Sequence, residues 1–484
     1  MSRPNAVQWK IACAQEMLAF VKANLFDEVE CPKNRKVVGS KWVFRIKRGP
    51  NGKIEKYKAR LVAQGFTQVK GIDYTETFAP VAKFISIRTL LSLAAKLDLE
   101  IHQMDVKSAF LNGDLDEEIY MKCPPGHHAK EGIVWKLKKS LYELKQASCE
   151  WYKKVREEFE ALGFTRSEAD HSVFYKNENG ALMIVAVYVN DMLLFSNSMK
   201  GIDQLKAELK DCYEMTDLGE VRCILNMEVN HDCAARTLTL TQRQYVKPIL
   251  KRHMMVNCQT VSTPMQANLR LPKLLEAEVD VKNHQSALGS LIQHLTTPGK
   301  VHWEALMRVY RYLRGTVDYK LTYRGSSEAK DLIGFVDADH AGDPVDRRSI
   351  TGYAFILNGA AVSWASKKQR TVATSSTEAE YVAGSNATKE VVWLQLLLSE
   401  IGQLDSGPKT LLIDNQSAIA LAKNPVFHSA MKHIGVQHHY ICEKFEEKVV
   451  SAEYVATGDQ VADVLTKALP REKHEMFAKG LGLS

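Results

Sequence analysis

Residues 181–195 read Ala-Leu-Met-Ile-Val-Ala-Val-Tyr-Val-Asn-Asp-Met-Leu-Leu-Phe, and the fold is read outward from them. Ala181–Val189 is a continuous apolar run rich in valine, isoleucine and tyrosine. A bilayer crossing takes about 20 apolar residues, so the run is far too short to span a membrane. It predicts a strand buried on both faces. Asn190-Asp191 marks a tight turn, and Met192–Phe195 is the returning strand.

Upstream, Leu99–Val106 reads as a strand with Asp105 near its end, and Gln8–Leu25 has helical apolar spacing. Lys41–Lys47 alternates Trp42, Phe44 and Ile46 against Lys41, Arg45 and Lys47, a half-buried strand with a basic outer face. Gly49-Pro50-Asn51-Gly52 turns the chain, and Lys53–Val62 returns. Downstream, Leu238–Leu250 and Trp303–Arg314 read as helices. Leu332–Asp337 is a strand, followed by a hairpin of Ile350–Leu357 with Ala361–Lys367 across Asn358-Gly359. Thr377–Ile401 is a long amphipathic helix. Thr410–Asp414 is a strand followed by a helix through Ala422. Val450–Val455 is a strand, and Val461–Leu469 begins a last helix. The order is three strands, helix, strand, helix, strand, helix.

The 484 residues suffice for roughly two to four domains. With 45% apolar and 25% charged residues, disorder over the whole chain is excluded as a class. Net charge is +7 and pI about 8.7, which permits a polyanionic partner without requiring one. The charge is unevenly placed: Lys33–Arg60 holds 11 basic residues and one acid, Glu55. Such a run is either a solvated face or a surface for a phosphate backbone. Nine cysteines without a C-x-x-C pair argue against a structural zinc site. Polar Met1–Lys10 is no signal peptide, so the protein is expected to be intracellular with reduced thiols.

Four acids fall at the ends of the C-terminal elements: Asp337 on the first strand, Glu378 in the first turn of the long helix, Asp414 at the end of the fourth strand and Asp463 in the final helix. Clustered carboxylates are what paired Mg²⁺ ions require, because Mg²⁺ prefers hard oxygen ligands. Each acid also has an ordinary reading. Glu378 follows Ser375 by three, as in a capping box, Asp414 can cap a helix, and Asp463 can be a surface acid. Their joint order on successive elements favours the metal reading.

The runs Phe335-Val-Asp-Ala-Asp339, Ser375-Ser-Thr-Glu-Ala-Glu-Tyr381, Asp414-Asn-Gln-Ser-Ala418, Lys432-His433 and Gln460-Val-Ala-Asp-Val-Leu-Thr-Lys467 resemble the RNase H domain of copia-type (Ty1/copia) retrotransposons over Asp331 to about Leu481. The resemblance implies that Asp337, Glu378, Asp414 and Asp463 hold two Mg²⁺ (or Mn²⁺) ions and cleave the RNA strand of an RNA–DNA hybrid. Gly435, Gln437 and Cys442 stand where the family usually has an aspartate and two arginines, which bears on substrate contacts.

From about Gln8 the chain is similar to the copia-type reverse transcriptase. The motifs are Lys41-Trp-Val-Phe44, Tyr57-Lys-Ala-Arg-Leu-Val62, Glu76-Thr-Phe-Ala-Pro-Val81, Gln103-Met-Asp-Val-Lys-Ser-Ala-Phe-Leu-Asn-Gly113, Tyr188-Val-Asn-Asp191 and Val261-Ser-Thr-Pro-Met265. The resemblance implies a multidomain α+β / α/β protein: right-hand polymerase fingers and palm over residues 8–265, a thumb or connection remnant over 266–330, and an RNase H-like mixed five-stranded sheet with helices over 331–481. It implies Asp105 and Asp191 as polymerase metal ligands, and Lys58, Arg60 and Lys41 at nucleotide phosphates. Its implied partners are RNA template, DNA primer, RNA–DNA hybrid and dNTPs, in the cytoplasm (virus-like particle) or nucleus, with no membrane. Trp42 and Phe44 are expected in the core rather than stacked on bases. Integrase, protease and capsid segments are expected outside this reading frame.

Three departures bear on activity. The hairpin tip has Asn190 where the family has the first of two aspartates, and a neutral amide is a poorer Mg²⁺ ligand than a carboxylate. Glu143 replaces the glycine of Leu-Tyr-Gly-Leu. After Leu291 a segment of roughly twenty residues is absent, about 30 Å if helical. Impaired polymerisation beside an intact nuclease site is therefore expected. The alternatives are a catalytically dead nucleic-acid-binding protein and a non-functional relic.

Overall fold

In the computed structural model the run read first does form a hairpin: Ala181–Tyr188 pairs antiparallel with Asp191–Ser196, Tyr188 facing Asp191. The structure describes residues 5–33, 35–48, 53–127, 130–178, 180–267, 269, 299–325, 332–343, 345–404, 407–423 and 435–484. The turn at 49–52, the junction after Leu291 and Lys432-His433 lie outside them. Contacts divide the chain into two compact units, Met1–Ala82 with His102–Gly219, and Lys83–Ile101 with Glu220–Ser484. This grouping differs from the linear three-part division, because Lys83–Ile101 joins the C-terminal residues.

In the first unit the apolar hairpin lies inside a six-stranded sheet. The order is Met215–Glu220, Glu100–Val106, Asp191–Ser196, Ala181–Tyr188, Val173–Glu178, Thr165–Arg166. Val185, Val187, Met192 and Leu194 are buried in one cluster with Ile202, Leu205 and Leu209 of helix Met199–Cys212 and Trp151, Val155 and Phe159 of helix Ala147–Ala161. Burying each such side chain contributes about 1.5–3 kcal/mol, which sets the register and hence which residues occupy the tip. The basic hairpin forms as well. Ser40–Arg48 pairs with Ile54–Ala63 in a two-stranded sheet, and helix Ala6–Lys22 packs along it. Trp42 is half-buried and packs against the core around Trp135. Phe44 is 43% exposed and meets Trp9 edge-on at 5.0 Å, so of the two residues expected in the core one packs against it and the other does not.

The second unit contains a mixed five-stranded sheet in the order Ala360–Lys368, Ile350–Leu357, Ile333–Asp339, Lys409–Ile413, Val450–Tyr454. The first three strands are antiparallel and the last two run parallel to Ile333–Asp339. Asn358 and Gly359 both take positive φ, 53° and 84°, as a two-residue primed turn demands. Helix Ser376–Glu400 lays Ala379, Ala383, Ala387, Val391 and Leu394 against the sheet.

Some elements differ from expectation. Leu238–Thr241 is strand, not helix, because Thr-Leu-Thr-Leu-Thr alternates with period two; the helix is Arg243–Arg252. The last segment splits into one turn, Asp463–Thr466, and helix Arg471–Gly480, separated at Pro470. Helix Gly435–Glu446 was not foreseen. Neither was helix Phe84–Leu97, whose Ser92 accepts hydrogen bonds from Asn358 Nδ2 at its carbonyl and its hydroxyl (both 3.0 Å) and donates from Oγ to Leu357 O (3.2 Å).

Candidate active sites

In the second unit, strand pairing positions the first carboxylates. Val336 is in register with Ile413 on the adjacent parallel strand. The next residue of each, Asp337 and Asp414, therefore comes level at the carboxyl ends. One carboxylate oxygen from each of Asp337, Asp414 and Glu380 lies within 4.8 Å of the other two. Asp337 is fully buried, and Asp414 is partly open to solvent.

The helical acid brought to this cluster is Glu380, not Glu378. Two residues along a helix turn the side chain about 200°, so only one of the two can face the sheet. The buried stripe Ala383, Ala387, Val391, Leu394 traces back to Glu380, whereas the same spacing from Glu378 reaches the exposed Lys389. Glu378 closes the helix start instead. Its Oε2 accepts from Thr374 N (2.8 Å) and Thr374 Oγ1 (2.5 Å), and its own N–H donates to Ser375 Oγ (3.1 Å). Of the capping-box reading, the bond from Glu378 N–H to Ser375 Oγ is present, while the Glu378 carboxylate accepts from Thr374; the apolar stripe was the signal that could have separated Glu378 from Glu380.

Asp463 approaches through Lys467, whose Nζ donates to Asp463 Oδ1 (2.7 Å) and Asp337 Oδ1 (3.0 Å). Thr466 Oγ1 donates to the other oxygen of Asp337. Lys467 was not singled out from the sequence. Burial, then repulsion from Asp337, pushes the Glu380 carboxyl up to about 9. Burial raises Asp463 to about 6 against the pull of Lys467. Glu380 Oε2 is buried without a hydrogen-bond partner. Hard oxygen donors, mutual repulsion and an orphaned carboxylate oxygen together fit a divalent cation of the Mg²⁺ type.

In the first unit, Asp105 stands near the end of Glu100–Val106, and Asp191 opens the returning strand of the apolar hairpin. Asp191 Oδ1 accepts from Gln103 Nε2 (2.9 Å). Burial and then Asp191 raise the Asp105 carboxyl, while Lys58, Lys47 and Arg60 oppose the shift. Asn190 is knotted to the neighbouring strand. Val106 N donates to Asn190 O (2.9 Å), and Asn190 Nδ2 donates to Val106 O (3.2 Å). A carboxylate could not make the second bond. Val189 is left-handed at φ 57°, strained for a β-branched residue, and its carbonyl accepts from Trp151 Nε1 (2.8 Å).

The basic hairpin's register places Val43 opposite Arg60, Arg45 opposite Lys58 and Lys47 opposite Lys56, so these cations share one face. Arg60 lies 4.8 Å over the Tyr142 ring. Burial, then Arg60 and Lys47, lowers the Lys58 amine. Of the expected phosphate contacts, Lys58 and Arg60 are among the cations acting on Asp105. Lys47 was missed, and Lys41 pairs with Val62 at the far end of the ladder from Lys47.

Glu143 occupies a left-handed backbone position at φ 71°. Its carbonyl would be 2.0 Å from a Cβ placed on Gly65, so the two segments meet closely. The glycine lost here is thus a backbone requirement. Glu143→Gly is expected to raise unfolding free energy by about 1 kcal/mol, since a non-glycine left-handed residue costs roughly 1–2 kcal/mol and part is returned as unfolded-chain entropy. A denaturant midpoint unchanged or lowered by the substitution counts against this.

Among the described residues no helix is long and apolar enough to cross a membrane. A family model for reverse transcriptase (RNA-dependent DNA polymerase) matches residues 23–267. The retrovirus-related Pol polyprotein from transposon TNT 1-94 of Nicotiana tabacum is 40% identical, over 100% of this chain and 38% of that protein. The corresponding polyprotein from transposon RE1 of Arabidopsis thaliana is 35% identical, over 99% and 34%. The putative transposon Ty5-1 protein of Saccharomyces cerevisiae is 31% identical, over 60% of this chain and 100% of that protein. The chain thus spans little more than a third of the two plant polyproteins. The tobacco alignment runs over 512 positions against the chain's 484 residues, so this chain lacks positions that the relative has. The chain belongs to the reverse transcriptase family of copia-type retrotransposon Pol polyproteins.

Proposed function

We propose that the chemistry retained by this chain is Mg²⁺-dependent hydrolysis of the RNA strand of RNA–DNA hybrids at Asp337, Glu380, Asp414 and Asp463. On this reading the RNA-directed DNA polymerase site at Asp105 and Asp191 is impaired by Asn190. The observation that carries it is the convergence of Asp337, Glu380 and Asp414 with Glu380 Oε2 left unsatisfied. Bound there, paired ions would supply charge to the attacking and leaving oxygens of the phosphodiester. The chain's own part is positional. Asp337 is held by Thr466 and Lys467, so its oxygens have a fixed direction. Lys467 also ties Asp463 to the cluster and offsets the repulsion among buried acids. Asp414, on the open side, is where a phosphate in solution first meets the site. The implied partners are RNA template, DNA primer, RNA–DNA hybrid and dNTPs.

A second reading is a nucleic-acid-binding protein without turnover. It draws on the basic face of Lys47, Lys58 and Arg60, which persists although a neighbouring carboxylate position is an amide. One preparation of the chain separates the readings. Hybrid cleavage in Mg²⁺ that disappears in Asp414→Asn supports the nuclease. Hybrid binding that weakens steeply with salt, without cleavage, supports the binding module. A broad, non-cooperative melt with neither activity supports a relic.

A further inference from the structure

Cys-x-x-C spacing is absent from this sequence, yet three metal-ligating side chains of different chemistry converge in the second unit. His231 lies at the end of strand Met227–Asp232 and Cys233 in the turn that follows, and their side chains meet. Asp98 caps helix Phe84–Leu97 in a left-handed conformation, φ 55°, which aspartate tolerates better than most residues. One ligand atom from each of Asp98, His231 and Cys233 lies within 4.8 Å of the other two. Cys233 Sγ is 3.7 Å from His231 Nδ1 and 3.9 Å from Nε2. An ion holding sulfur at about 2.3 Å and nitrogen at about 2.0–2.1 Å in tetrahedral geometry sets them about 3.6 Å apart. The two ligands already stand at that separation.

The surroundings suit a cation. The acids acting on both His231 and Cys233 are Asp98, Glu100 and Glu220, while Asp232 acts on His231. Burial lowers the imidazole and so favours its neutral form, which has a lone pair to give. The thiol is pushed up by burial and by those acids, a bias that a divalent cation reverses by binding the thiolate. Thiolate and imidazole select against Mg²⁺, and the carboxylate completes a set typical of zinc.

We propose that Asp98, His231 and Cys233 form a site for a zinc-class divalent transition metal that ties the end of helix Phe84–Leu97 to the hairpin of Met227–Asp232 and Thr237–Thr241. Binding forms the metal–sulfur bond and releases the Cys233 thiol proton to solvent. Glu100 and Glu220 are neighbouring carboxylates. This site is separate in residues and donor type from the all-carboxylate cluster at Asp337.

The test is Co²⁺ titration of the metal-stripped full chain, with excess Mg²⁺ present to occupy hard-oxygen sites. The expected result is a thiolate-to-cobalt charge-transfer absorption that saturates at a single equivalent and is erased by Zn²⁺. Cys233→Ser abolishes that band. His231→Ala and the conservative Asp98→Asn each weaken Co²⁺ affinity by about tenfold or more. Cys31→Ser, at an exposed cysteine of the other unit, changes nothing. Unfolding midpoints in chelator, measured for every variant, separate ligand loss from misfolding, and Asp98→Asn alone suffices if the other variants do not fold. Absence of the band in the parent chain, or its survival in Cys233→Ser, overturns the proposal.

Discussion

Glu380→Gln is expected to lower Mg²⁺-dependent cleavage of RNA–DNA hybrid on the order of 10²–10³-fold, the usual cost of losing a preorganised electrostatic group. Glu378→Gln, two residues away, is expected to change it only within a few-fold. The contrast follows from helix geometry. Glu380 faces Asp337 and Asp414, whereas Glu378 is spent on Thr374 and the helix N-terminus. Stability separates the variants in the opposite sense. Glu380 is raised to about 9 in the folded chain, far above an unfolded glutamate. The folded state therefore binds the extra proton, and in chelator stability falls as pH rises from the ordinary glutamate range toward 9. Glutamine removes that loss, so Glu380→Gln should melt higher than the parent in chelator at pH 8, and the advantage should vanish in Mg²⁺. Glu378→Gln keeps an oxygen for Thr374 but loses the charge, so it should be less stable than the parent by about 1 kcal/mol, the difference between a charged and a neutral acceptor. Equal loss of cleavage in both variants, or loss in Glu378→Gln alone, would falsify the assignment of Glu380.

The features legible in the sequence were those whose causes are local. Asn358-Gly359 announces its turn because the backbone there needs two positive φ values, and the structure supplies 53° and 84°. The apolar run at 181–189 and the alternation at 41–47 announce strands because burial on both faces or on one face writes itself into the period. Asp337 and Asp414 were legible for the same reason: one lies near the end of a strand and the other directly follows one, and strand ends are easy to find. Choosing between Glu378 and Glu380 required helical phase as well as position, and a capping motif competed for the same residues. Lys467 was not singled out because its role depends on two acids, one of them 130 positions away. The Asp98–His231–Cys233 group has no sequence signature, since a helix end and a distant hairpin meet only in the fold. At Glu143 the difficulty is conformational, a left-handed φ that residue-type patterns leave invisible once the glycine has gone.

Asn190→Asp is the second large effect, expected to raise primer extension by on the order of 10²-fold or more over the parent chain in Mg²⁺. The substitution replaces a neutral amide by a carboxylate beside Asp105 and Asp191, where burial and mutual repulsion already raise Asp105. The present residue is well fitted to a hairpin that carries no third charge. Asn190 Nδ2 donates to Val106 O, and the Asn190 carbonyl receives Val106 N–H, so the tip is closed by two bonds. Aspartate keeps the backbone bond and loses the side-chain donor, at a cost of about 1–3 kcal/mol. In chelator Asn190→Asp should therefore melt several degrees below the parent, about 2–4 °C per kcal/mol for a unit of this size. Mg²⁺ should recover most of that deficit, because a divalent cation binds the folded tip and not the unfolded chain, whereas the parent should respond little at this unit. Gain of extension together with Mg²⁺-dependent stabilisation ties polymerisation to the charge at this position. If Asn190→Asp gains neither, the amide is not what limits polymerisation, and Glu143→Gly in the same background tests the nearest alternative. If the unaltered chain extends primers robustly, an amide at this position suffices for polymerisation and the reading of Asn190 fails.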